Sequence, residues 1–262
     1  VATSANYADA IMVAGNYQTK PEFPFAPGLE GAGLVVKLGK GVENLKIGDR
    51  VMAKLSHGGF AEQAVAEARE TWPLFDRMSF ADGAAFAVAY LSAHVALRWQ
   101  GRLEAGETLL VLGAAGGSGM AAVEIGKAMG ARVIGAASNE EKLQAILQHG
   151  ADHAVNYSSD NMKEQVLELT GGEGADVCFD PVGGDLFDSA LSSLGWGGRH
   201  IHFGFVGGVP RVPANRLLVK HRSAMGSSLR YFQSRRPDLL VQSMTELAAA
   251  YGKGAFNPVI SH

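Results

Sequence analysis

Two styles of hydrophobic patterning meet near residue 88 of this chain. Before that point, β-like runs at residues 33–38, 49–52 and 58–61 alternate with glycine and proline turns such as Gly39-Lys40-Gly41. Runs this short, bounded by turn residues, predict a compact, mostly β domain. After it, strand patterns alternate with helix patterns. Residues 108–113 form an apolar strand, and Ala121, Ile125, Ala128 and Met129 then recur at helical spacing, with Gly130 as a stop. The pattern goes on to predict a strand over 132–136, a helix over 139–148, a strand over 176–180, a helix over 186–194 and a strand over 200–203. Repeated units of this kind imply an α/β fold, a parallel sheet covered by helices on both faces. A last helix over 237–251 precedes residues 257–260, which read as the start of a strand.

Composition narrows the picture. The chain has 262 residues, 47% of them hydrophobic, enough for one large domain or two smaller ones. Its net charge of −3 calls for neither nucleic acid nor an anionic membrane as partner. Arg235-Arg236 reads as a solvated edge beside a helix start. The single cysteine, Cys178, excludes an internal disulfide and a multi-cysteine metal site. The longest nearly apolar run, residues 83–97, is interrupted by Ser92 and His94 and falls short of the roughly 18 residues of a membrane span. The chain opens at Val1 without a methionine and stops where a strand is beginning, so residues are expected beyond both ends. A targeting peptide would lie there, and a cytoplasmic location is a default expectation.

The candidate chemistry lies in residues 110–124, LVLGAAGGSGMAAVE, where Gly113, Gly116 and Gly119 form a G-x-x-G-x-x-G pattern between a predicted strand and helix. A second strand closes the unit by about Ser138, the roughly 30-residue βαβ span of a dinucleotide site. The loop Gly113, Ala115, Gly116, Gly117, Ser118 and Gly119 is expected to bring a pyrophosphate onto the helix N-terminus, where free N–H groups and the helix dipole favour negative charge. NAD sites usually place Asp or Glu about 20 residues further on, against the ribose 2′-hydroxyl. Here Ala136, Ala137, Ser138 and Asn139 occupy that place. Ser138 with Glu141 reads as a capping box, and Lys142 falls in the first helical turn, able to reach a 2′-phosphate. NADP(H) is therefore the expected cofactor. In the competing reading, Lys142 is a solvated lysine and Glu140 contacts the ribose.

With these residues in view the chain resembles the zinc-independent quinone oxidoreductases of the medium-chain dehydrogenase/reductase superfamily. The segments that carry the resemblance are Asn6-Tyr-Ala-Asp9, Gly15-Asn-Tyr17, Pro27-Gly-Leu-Glu30, Gly48-Asp-Arg-Val51, Ala114-Ala-Gly-Gly117, Asn156-Tyr157, Asp180-Pro-Val-Gly-Gly184 and Phe203-Gly204. The resemblance implies a GroES-like β domain over 1–88 and 231–262, interrupted by a Rossmann domain over 89–230. It places Lys142 and Tyr157 beside the 2′-phosphate, and Ser92, Gly204 and Phe205 near the nicotinamide. Asn6 and Tyr17 would line the active cleft, and the alternative for Tyr17 is a core aromatic beside Phe23 and Phe25. The zinc-dependent branch has cysteine, histidine and cysteine where Asn6, Leu29 and Val88 stand here, so no catalytic zinc is expected. The pair His200 and His202 reads as a packing feature of a strand.

The expected activity is hydride transfer from NADPH to a quinone or to the β-carbon of an α,β-unsaturated carbonyl. Tyr17 and Asn6 would be the donors that meet charge on the carbonyl oxygen. A 2-enoyl-thioester reductase is the alternative enzyme, and a crystallin-like or RNA-binding relative that holds NADPH with little turnover is the alternative outside enzymes. The expected partners are a small-molecule substrate and a second copy of the chain, with no nucleic acid and no membrane.

Overall fold

The computed structural model describes residues 1–158 and 161–260 and divides into two compact units, Val1–Ala89 with Pro258–His262, and Tyr90–Asn257. The first unit is built on a four-stranded antiparallel sheet. Its elements are β1 (Ala2–Thr3), α1 (Tyr7–Val13), β2 (Glu30–Leu34), β3 (Arg50–Lys54), β4 (Thr71–Pro73) and α2 (Phe80–Phe86), with strand order β1-β2-β3-β4. Ser79 starts α2 by accepting the Asp82 N–H at 3.0 Å, while the Asp82 carboxylate returns to the Ser79 N–H, a reciprocal cap that satisfies two otherwise orphaned donors.

The strands differ from the pattern-based expectation in instructive ways. β2 begins at Glu30 and ends at Leu34, because Glu30 pairs with Lys54 of β3 in register. Residues 58–61 form no strand. Their backbone N–H groups at Gly58, Gly59 and Phe60 donate instead to the carbonyls of Ala26, Gly28 and Pro27. A Cβ on Gly28 would lie 2.5 Å from Phe60 N, so this is a close crossing of two loops rather than a ladder.

In the second unit, β5 (Thr108–Val111), β6 (Arg132–Ala137), β7 (His153–Asn156), β8 (Ala175–Asp180), β9 (Leu194–His202) and β10 (Ser223–Gly226) form a parallel sheet in the order β10-β9-β8-β5-β6-β7. This is the doubly wound Rossmann order, with its switch point between β5 and β8. Helices α3 (Ala89–His94), α4 (Gly117–Ala128), α5 (Glu140–Gln148), α6 (Met162–Leu169), α7 (Leu186–Ser192), α8 (Ala214–Val219), α9 (Leu229–Arg235) and α10 (Pro237–Gly252) complete it. Strand alternation sorts the core. Leu110, Leu112, Ile134 and Cys178 share a fully buried cluster with Val166 of α6 and Phe187 of α7. On the opposite face, Gly126 of α4 sits against Leu109 and Val133, and Gly135 sits against Ile146 of α5.

Other expectations are revised. The division of the chain differs from the domain limits read from the sequence, since 231–257 fall with the second unit. There Trp99 Nε1 donates to Ser243 of α10 at 2.9 Å, and His94 Nε2 lies 3.2 Å from Glu246. Residues 257–260 form no strand; the Asn257 N–H points to the Glu124 carboxylate at 3.1 Å. The apolar run around residue 90 is also longer than its sequence suggests. The helical run Phe80–Gln100 has 21 residues and passes for a membrane span by length and composition, but 72% of its most apolar window is buried, as in a core helix.

Candidate active site

The glycine loop leaves β5 at the switch point. The Leu112 N–H donates to Phe179 O of β8 and the Ala114 N–H to Ala136 O of β6, both at 3.0 Å, which fixes the loop over the ends of three strands. Gly113 adopts φ +55°, a left-handed conformation that side chains rarely accept. Gly119 is required for a different reason: a Cβ there would lie 2.2 Å from Gly113 O and 2.8 Å from Ala114 Cα. α4 can therefore lie on its own preceding turn only if residue 119 has no side chain. At Gly117, the first residue of α4, a Cβ would meet nothing within 4 Å. The same loop thus holds a glycine that packs helix on strand and one that opens the helix N-terminus, where the free N–H groups of a 12-residue helix suit an anion.

The end of β6 supplies the second part. α5 starts from Asn139, whose Oδ1 accepts the Lys142 N–H at 3.0 Å. The cap is therefore one residue later than the Ser138 expected from the sequence. That shift leaves the Ser138 hydroxyl for the Lys142 ammonium, 3.4 Å away. Tyr157 follows β7, and its N–H donates to Ala137 O at 3.0 Å. Ser138, Asn139, Lys142 and the Tyr157 backbone are thus brought to the end of β6, with a cation and the Ser138 hydroxyl there and no acid at the strand end, while the Tyr157 ring packs on the buried cluster.

Two further loops lie at the same edge. The N–H groups of Phe203 and Gly204 donate to Asp180 O, and the Gly207 N–H to Val182 O, so the loop holding Gly204 and Phe205 folds onto 180–184. Asp180 anchors this turn: its Oδ1 accepts the N–H groups of Val182 and Gly183, both at 2.8 Å. Its Oδ2 faces His200 Nε2 at 3.3 Å and His202 Nδ1 at 3.9 Å, near enough for charge attraction but without hydrogen-bond alignment. Burial opposes ionisation of Asp180, yet the two imidazoles and the Gly183 N–H hold its carboxyl well below the usual carboxylate range. The histidine pair is thus the electrostatic partner of Asp180 as well as packing against Phe187. Ser92 is buried on α3.

Asn6 and Tyr17 belong to the first unit. Asn6 begins α1, with its backbone N–H donating to Asp9 Oδ2 at 2.8 Å. Its amide donates to Glu30 Oε1 at 2.8 Å and to Ser4 Oγ at 3.1 Å. Both amide hydrogens are thereby engaged, which leaves none for the donor role expected of Asn6. Tyr17 is half-buried in a bend past α1. Phe23 is 87% exposed, and its ring lies 5.3 Å from that of Phe25.

Sequence reasoning overlooked Glu30 except as the end of the Pro27–Glu30 segment that carries the resemblance. It is buried, and desolvation raises its carboxyl to about 7 despite bonds from Asn6, Ser4 and the Val88 N–H. A raised acid stabilises the fold fully below its unfolded value, and that contribution is lost as pH rises through about 7. In urea titrations, the unfolding free energy of the protein relative to Glu30→Gln is expected to fall by roughly 3 kcal/mol between acid and mildly alkaline pH. Parallel pH curves for the two proteins would refute this.

Among the described residues no three His, Cys, Asp or Glu side chains converge, and Asn6, Leu29 and Val88 hold the ligand positions of the zinc branch.

The chain matches two family models, an alcohol dehydrogenase GroES-like domain over residues 1–76 and a zinc-binding dehydrogenase domain over 117–246. It is 40% identical to the quinone oxidoreductase-like protein 2 homolog of Nematostella vectensis, over 98% of this chain and 71% of that protein. It is 34% identical to the quinone oxidoreductase of Rattus norvegicus, over 99% of this chain and 78% of that one. The structure of Escherichia coli quinone oxidoreductase complexed with NADPH superposes with a TM-score of 0.91 at 29% identity, over 99% of this chain and 80% of that chain. A glycine loop at a Rossmann switch point, an acid-free β6 end and relatives of this kind all place the protein in one group: the chain belongs to the quinone oxidoreductase family of the medium-chain dehydrogenase/reductase superfamily.

Proposed function

We propose that the protein is a zinc-independent, NADPH-dependent reductase that delivers hydride to a quinone or to the β-carbon of an α,β-unsaturated carbonyl. The observation that carries this reading is the edge formed by β5, β6 and β7. Gly117 opens a helix N-terminus after β5, Lys142 lies 3.4 Å from Ser138 after β6 and the Tyr157 N–H bonds to Ala137 after β7, while an acid that would bind a bare ribose hydroxyl is missing from the β6 end. Gly116, Gly117, Ser118 and Gly119 would hold the pyrophosphate, and Lys142 with Tyr157 the 2′-phosphate. Ser92, Gly204 and Phe205 would meet the nicotinamide end. Bound there, NADPH supplies the hydride; the chain binds it, orients it and meets charge on the substrate oxygen. Steady-state NADPH oxidation with a panel of quinones, enones and enoyl thioesters tests the reading, and no turnover with any of them would sink it.

NADPH is expected to bind at least about tenfold more tightly than NADH, with Lys142→Ala erasing most of the difference, because a charge-assisted hydrogen bond is worth roughly 1.5–3 kcal/mol. Equal dissociation constants in the unmutated protein would reject a 2′-phosphate role for Lys142. Zinc independence predicts active protein with zinc far below one equivalent by elemental analysis. Activity lost to a chelator and restored by zinc would contradict it. We further propose that the protein forms a homodimer in the cytoplasm, with neither nucleic acid nor membrane as its main partner.

A further inference from the structure

The first unit buries a carboxyl group that hydride transfer alone does not use. Glu30 is 1% exposed. Its Oε1 accepts the Ser4 hydroxyl at 2.5 Å and the Asn6 amide at 2.8 Å, and its Oε2 accepts the Val88 N–H at 2.6 Å. None of these neighbours carries a charge. Lys54, its register partner on β3, is turned to Glu70 at 2.9 Å. The oxygens of Asp9 accept the N–H groups of Asn6 and Gly28, and its charge only adds repulsion at Glu30. A buried carboxylate without a counter-charge is costly, and the group keeps its proton instead.

Reduction of a quinone by hydride leaves an oxyanion, and the hydroquinone needs one further proton. We propose that Glu30 is the source of that proton and that the Ser4 hydroxyl passes it on, an inference that rests on the reductase reading above. The Ser4 hydroxyl, which donates to Glu30 Oε1 at rest, turns towards the substrate as the Glu30 O–H bond breaks and its proton moves to Ser4 Oγ. The Ser4 hydroxyl proton leaves at the same time for the substrate oxyanion, directly or across one water. One O–H bond forms on the product, Glu30 is left as a carboxylate, and solvent returns its proton before the next turnover. Ser4 suits the relay because it is half-buried and because its oxygen, within 2.5 Å of Glu30, also receives the Asn6 amide, which orients the hydroxyl. The acidic form survives at neutral pH, where desolvation sets the Glu30 carboxyl at about 7.

The test combines infrared difference spectra of the cofactor-free protein against Glu30→Gln with quinone reduction as a function of pH. The C=O band of a protonated acid is expected in the unmutated protein and absent from Glu30→Gln, with a midpoint near pH 7. The kcat should be level below that midpoint and fall above it. Glu30→Gln should lower the plateau by about 10²-fold, the usual scale of general-acid loss, and abolish the fall. Ser4→Ala should lower it comparably while keeping the infrared band, and neither variant should change NADPH affinity. A Glu30 already ionised in acid, or a Glu30→Gln enzyme with unchanged kcat and pH profile, overturns the proposal while the reductase reading stands. An intact infrared titration in a protein that reduces no quinone means instead that the reductase reading has failed, and the relay with it.

Discussion

Tyr17→Phe is expected to lower kcat with enones or enoyl thioesters by 10²–10³, the usual cost of losing one donor to a developing oxyanion. The structure sharpens this expectation. Asn6 directs both amide hydrogens to Ser4 and Glu30, so the donor role shared between Asn6 and Tyr17 falls to the tyrosine. Tyr17 sits in a half-buried bend near Gly15, whose φ of +73° ends α1, and the phenylalanine keeps the ring while removing the hydroxyl. Quinones accept hydride more readily and need less help at oxygen, so their loss should be modest. NADPH affinity should be unchanged. Parallel steady-state kinetics on the three substrate classes read this out, and an unchanged kcat throughout would leave Tyr17 as a wall of the pocket only.

The second large effect is expected at Gly119. The Cβ of Gly119→Ala would meet the backbone of Gly113 and Ala114, at 2.2 Å and 2.8 Å, and no flexible side chain can give way. Either α4 shifts off its turn or the loop opens. Overpacking of this kind costs on the order of 1–3 kcal/mol, or a fall in Tm of about 5–10 °C at the upper end, and NADPH affinity should drop with it if the loop is the phosphate cradle proposed above. Gly117→Ala separates packing from binding. Its Cβ meets nothing within 4 Å, so Tm should hold while NADPH binds more weakly. Thermal melts with cofactor titrations decide the matter, and a Gly119→Ala protein with wild-type Tm and affinity would show that the turn is not needed as built.

Some of this site was legible in sequence because its cause is local. Gly113, Gly116 and Gly119 can be found by spacing, since a strand, a tight turn and a helix must follow one another within a dozen residues. The acid-free stretch 136–139 is likewise a local fact, and it points to NADPH before any coordinates exist. Even here the cap moved by one residue, from Ser138 to Asn139, because both side chains can cap and only the path of β6 chooses between them. What tertiary structure decided is set by burial and by distant partners. Glu30 meets Asn6 from 24 residues away and Val88 from 58, and its pKa is raised only because those neighbours exclude water without supplying charge. Asp180 finds His200 across adjacent strands, where pattern alone offered only packing on a strand as the role of the two histidines. Pattern and turn chemistry are short-range and survive in the sequence. Desolvation, which sets the protonation of the buried groups, is a property of the assembled core.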